Sequence, residues 1–95
     1  MDIKQLRYFI AIAEEGSLSA AAQRVNVAQP SLSQHVLSLE RELDVKLLER
    51  SSRGVSLTQS GEVLLSHARV ITNALQNAAN AVRPSGGEPI GDVPV

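Results

Sequence analysis

Apolar residues recur at helical spacing from the start of the chain. Over residues 3–15, Leu6, Phe9, Ile10 and Ala13 share one stripe, which predicts an amphipathic first helix. Gly16 stands where such a helix would stop. Ser17 follows as a natural N-cap, and a short second helix runs from Leu18 to about Val25. Asn26 tolerates left-handed angles and marks a turn. A third helix is predicted to begin near Gln29 or Pro30, since proline suits a first turn, with Leu32, Val36, Leu39 and Leu43 as its buried stripe.

The period then changes. Residues 46–50 and 54–58 read as two short strands around Ser51-Ser52-Arg53-Gly54, a hairpin tip with a glycine. Thr58 offers the cap of a long last helix, with Glu62 in its first turns and Arg83 at its end. Along it Leu64, Ala68, Ile71, Leu75, Ala78 and Val82 alternate by four and three, a heptad seam suited to pairing with another helix. Pro84 ends the pattern, and 84–95, rich in glycine and proline, reads as a linker or hinge toward a further domain. The expected fold is mainly α. A winged helix-turn-helix of three helices and a two-stranded wing spans 1–58, and a linker or dimerisation helix spans 59–83.

Two helices joined by a short turn, the second followed by a hairpin, define a helix-turn-helix with a wing. Ala21 and Ala22 are small enough for the second helix to cross the third closely, and Val25 and Val27 flank Asn26 to seal the turn. The start of the third helix would then enter a major groove. Its chemistry fits. Between Arg24 and Glu40 there is no Asp, Glu, Lys or Arg. Gln29, Pro30, Ser31, Ser33 and Gln34 lie near its start as neutral candidates for reading base edges. Helix-start N–H groups can bind phosphate directly. Arg53 at the hairpin tip is placed to enter a minor groove. Arg50, Lys4, Arg24 and His35 are candidate phosphate contacts. Glu40, Glu42 and Asp44 gather at the far end of the third helix, where contact with DNA is not expected.

Bulk composition adds limits rather than direction. Nine basic residues against ten acidic ones give a net charge of −1, whereas nucleic-acid binders are commonly basic. Tyr8 and Phe9 are the only aromatics, so the core is thin and oligomerisation is expected of so small a domain. The absence of cysteine excludes disulfides, thiolate metal sites and thiol catalysis. Charges break up the N-terminus, so no signal peptide or membrane span is read, and a reducing cytoplasm fits. His35 and His67 lie on different elements with no partner at ligand spacing, so neither metal nor cofactor is expected. Ser31 and Ser33 lack an orienting carboxylate, which argues against an enzyme. A protein-interaction module is the alternative class, with the net charge as its main support.

Leu6-Arg-Tyr-Phe-Ile-Ala-Ile-Ala-Glu-Glu-Gly-Ser-Leu-Ser-Ala-Ala-Ala resembles the N-terminus of LysR-type transcriptional regulators. So do Val27-Ala-Gln-Pro-Ser-Leu-Ser-Gln-His-Val, Leu39-Glu-Arg-Glu-Leu, and the run from Leu47 to Gly61. The resemblance covers roughly residues 2–83. It implies a bacterial regulator of double-stranded promoter DNA, paired through antiparallel linker helices and tetrameric at full length. A small-molecule inducer would act only through a C-terminal sensor domain, of which Gly91-Asp-Val-Pro-Val resembles the first strand. It further implies that Gln29, Pro30, Ser31, Ser33 and Gln34 sit at the DNA with Arg53 in the wing. In this family the position of Gln34 is often arginine, so Gln34 followed by His35 is a departure toward weaker charge.

Overall fold

The computed structural model describes residues 1–83; the linker expected over 84–95 lies outside them. The elements run α1 (Ile3–Glu15), α2 (Leu18–Val25), α3 (Gln29–Leu43), β1 (Leu48–Ser51), β2 (Gly54–Leu57) and α4 (Gln59–Val82). Local chemistry sets their limits. Asp2, Ser17 and Thr58 cap α1, α2 and α4 by accepting the N–H groups of Gln5, Ala20 and Gly61, each satisfying a donor the helix itself leaves free. Gly16, Asn26 and Asp44 close α1, α2 and α3 in left-handed conformation.

α1 is the central element and is buried on two sides. Phe9, Ala11 and Ile12 join Ala21, Ala22, Leu32, Val36, Leu39, Leu47 and Leu48 in the main core. Leu6 and Ile10 form a second, smaller cluster with Ala68 of α4. One stripe is therefore too narrow a description of α1: Ala11 and Ile12 are fully buried and Ala13 only half so. Leu43, at the exit of α3, is likewise half-buried. The small Ala21 and Ala22 lie in the core between α2 and α3, and Val25 and Val27 pack against it from either side of Asn26. Val27 N–H donates to the Ala22 carbonyl at 3.0 Å, closing the turn.

The wing is a two-stranded antiparallel sheet in register Leu48↔Leu57 to Ser51↔Gly54. Its strands are shorter than the expected 46–50 and 54–58 because side chains and the next helix claim the backbone at its base. Glu40 accepts the N–H groups of Leu47 and Leu48 at 2.7 and 3.3 Å, and Thr58 N–H donates to the Leu47 carbonyl at 3.0 Å. Val55 N–H reaches the Gly16 carbonyl at 3.0 Å, so the wing is fastened to the turn between α1 and α2. Gly54 makes that approach possible: its φ is 122°, and a Cβ there would lie 2.5 Å from the Gly16 oxygen.

α4 divides into two parts. Its beginning belongs to the body, with Ala68 buried against Leu6 and Ile10 and Leu64 and Leu65 packed beside them. Glu14 joins the neighbouring helices by accepting from Arg69 of α4 at 3.0 Å and Arg24 of α2 at 2.9 Å. Residues 69–82, about 21 Å of helix, are exposed apart from Thr72 and Ala79. No helix among the described residues is long and apolar enough to cross a membrane.

Candidate nucleic-acid interface

α3 presents its core stripe inward and the opposite face to solvent. Gln29, Pro30, Ser31 and Gln34 are exposed at its start, and Ser33 is half-buried beside them. Neutral donors and acceptors are thus gathered on one helical turn and a half. Unlike the other three helices, α3 has no side-chain hydrogen bond at its N-cap, which is Ala28. Pro30 has no N–H, and those of Gln29 and Ser31 receive no side-chain cap, which leaves them for an anion at the positive end of a helix dipole.

Arg50 joins the wing to this helix. Its guanidinium donates to the Ser33 hydroxyl at 3.0 Å, so strand β1 and the start of α3 form one polar surface. Arg53 is exposed at the hairpin tip, where the Ser51 hydroxyl accepts its backbone N–H at 3.2 Å. The wing tip and the α3 start are therefore two projections from a single frame, with Arg50 between them.

The other candidate contacts separate. Lys4 is exposed on the first turn of α1. Arg24 is engaged by Glu14 and Glu15, at 2.9 and 3.2 Å; that hydrogen bonding raises its pKa, the Glu14 contribution being larger. Its role in this structure is to tie α2 to α1. His35 is half-buried and meets Tyr8 edge-on, with ring centroids 5.0 Å apart, so its ring packs against α1 as well as bordering the surface. A shallow groove beside it separates α3 from the start of α1 and is lined by Gln5, Ser31, Gln34, Ser38 and Arg41 among others. Sequence reasoning did not single out Gln5, Ser38 or Arg41. The spacing of Ser38 and Arg41 from Gln34, by four and seven residues, is the signal that places them on one face.

The predicted pairing seam on α4 is also divided. Leu64 and Ala68 serve the body, because α1 needs cover for Leu6 and Ile10. Ala68 is fully buried within its own chain and is unavailable to a partner. Ile71, Leu75, Ala78 and Val82 remain exposed. Val63 and Val70, outside the predicted seam, are exposed with them. The free apolar face is therefore rotated from the heptad line toward Val63 and Val70.

A three-helix core with α3 crossing behind α2, a hairpin beside it and a long helix following defines a winged helix-turn-helix protein. Residues 3–62 match the family model described as bacterial regulatory helix-turn-helix protein, lysR family, and the chain belongs to that family. It is 42% identical over 92 residues to the HTH-type transcriptional regulator TfdT of Cupriavidus pinatubonensis, covering 93% of this chain and 40% of that protein. It is 44% identical over 86 residues to the nitrogen assimilation regulatory protein nac of Klebsiella aerogenes, covering 90% and 28%. The chain thus spans less than half the length of these relatives. Among solved structures it resembles the CbnR DNA-binding domain in complex with DNA, with a TM-score of 0.82 and 43% identity over 85% of this chain and 93% of that one. It also resembles CbnR, a LysR family transcriptional regulator, with a TM-score of 0.84 and 42% identity over 90% and 29%.

Proposed function

We propose that this chain is the sequence-specific promoter-binding module of a bacterial transcription regulator. The start of α3 enters a major groove, where Gln29, Pro30, Ser31, Ser33 and Gln34 read base edges, and Arg53 enters the adjoining minor groove from the wing. Arg50 and Lys4 are assigned to phosphates. The observation that carries this reading is the acid-free start of α3, without a side-chain cap, standing beside Arg50 of the wing. Arg24 and His35 contribute less to DNA than to the frame, by their contacts to Glu14, Glu15 and Tyr8.

The module acts as a pair. A helix of residues 69–82 alone, with an exposed apolar side, is marginal in water. An antiparallel second copy covers it through Ile71, Leu75, Ala78 and Val82. Residues 1–58 do the reading, 59–68 complete the body under α1, 69–83 do the linking, and 84–95 form the hinge to a sensor domain. The longer protein is a cytoplasmic homotetramer answering to a small-molecule inducer, and a regulator rather than an enzyme. Titration of labelled duplexes at several salt concentrations tests the reading. Preference for duplexes selected from a random pool is expected; equal affinity for selected and random DNA at every salt would sink it.

A further inference from the structure

Beyond its base-reading turn, α3 continues outward through Ser38 and Arg41, and we propose that this stretch and Gln5 of α1 form a second contact, to the DNA backbone. Arg41 supplies its charge. The inference rests on the promoter-binding reading and adds residues that reading does not use.

The acidic residues near the end of α3 are engaged away from this contact. Glu40 is turned to the wing base, holding the N–H groups of Leu47 and Leu48. Glu42 pairs with the amino group of Met1, and Asp44 lies past the helix as its left-handed cap. Arg41, exposed between them, has no ion pair among the described residues, whereas Arg24 and Arg69 do. Among the described residues, no carboxylate lines the groove shared by Gln5, Ser31, Gln34, Ser38 and Arg41. Every polar side chain there can donate a hydrogen bond to a phosphate oxygen.

Geometry places a backbone at this point. Gln34 and Arg41 lie on the same face, about 10 Å apart along the axis. The major groove is about 12 Å wide and follows the curved duplex, while α3 is straight. A side chain two turns past the base readers therefore meets the groove wall, and the wall is phosphate. Arg50 lies on a different side of α3 from Arg41, bonded to Ser33, which stands about 80° round the helix from Arg41. The helix thus carries basic groups at two separate points of its solvent-facing side, and Arg41 supplies a charge that the neutral Gln34 does not.

The full chain is tested against a duplex selected from a random pool and a random duplex of equal length. Arg41→Gln should lower the slope of log affinity against log salt by about one per bound subunit. It should weaken both duplexes about fivefold per subunit at about 0.15 M salt and leave their ratio unchanged. Arg41→Lys should keep the wild-type slope, and Arg7→Gln, an exposed α1 arginine outside the groove, should do the same. A wild-type slope for Arg41→Gln in a folded protein overturns the proposal while the promoter-binding reading stands, and so does an equal loss in Arg7→Gln. A wild type without preference for the selected duplex fails at the earlier step.

Discussion

Gln34 stands on the outward face of α3 and makes no side-chain hydrogen bond among the described residues. Its amide is free to pair bidentately with adenine, and the side chain itself carries no charge. Gln34→Ala should therefore change the ratio of affinities between selected and random duplexes more than the affinity for random DNA. Arg53→Ala, at the wing tip, should weaken binding to both and lower the salt slope by about one per subunit. A uniform loss for Gln34→Ala in a binding titration would contradict the first expectation. Gly54 is constrained differently. With φ at 122° and the Gly16 oxygen 2.5 Å from any Cβ, Gly54→Ala should cost about 1–3 kcal/mol, read as a lowered midpoint in urea unfolding. At this scale much was legible in the sequence. Gly16, Ser17, Asn26 and Thr58 reveal themselves because caps and left-handed turns depend on the residue type at one position. The contacts of Glu40 and Arg50 were not legible, since their partners lie 7 to 17 residues away and only the folded chain brings them together.

The helices hold one another through Glu14 as well as through the core. Its carboxylate takes hydrogen bonds first from Arg69 and then from Arg24, which hold its pKa below the ordinary glutamate range. A carboxylate lowered on folding stabilises the protein above its unfolded-state pKa, and this contribution is lost as pH falls through the folded value. Glu14→Gln should thus lower the melting temperature at neutral pH and have a smaller effect at an acid pH below the ordinary glutamate range. Because the side chain is 35% exposed and solvent-screened, the loss should stay under about 1 kcal/mol and shrink with added salt. An equal destabilisation at both pH values would show that the contact matters through shape instead. Element boundaries came through the sequence nearly unchanged for the helices, whose period of 3.6 repeats several times over. The strands, four residues each, are too short for periodicity to fix their ends; Glu40 and Thr58 fix them.

Across the whole molecule, the net charge of −1 gives a poor picture of the surface that matters. Glu14 and Glu15 are spent on Arg24 and Arg69, Glu40 on the wing and Asp2 on a cap, while Arg41 and Arg53 make no ion pairs among the described residues. Composition could not reveal this because it counts charges without their partners. The exposed apolar face of α4 follows the same logic: a heptad line predicts something to cover, but the cover for α1 takes Leu64 and Ala68 first. Leu75→Asp, far from the body, should convert a dimer to a monomer in sedimentation. It should also weaken binding to paired half-sites by at least tenfold, with single half-sites little affected, since two tethered bodies bind with raised effective concentration. A dimer that survives Leu75→Asp would place the interface elsewhere.

One continuous helix thus starts at Gln59, packs on Leu6 and Ile10 through Ala68, and ends at the exposed Val82. In an antiparallel pair such a rod is a ruler: the distance between the two reading heads is set by its length and register. Seven residues inserted between Leu75 and Gln76 would part the heads by about 10 Å, close to three base pairs at about 3.4 Å each. Operator spacing would then be written in the linker, and recognition of each half-site in α3, so that evolution can change one without rewriting the other.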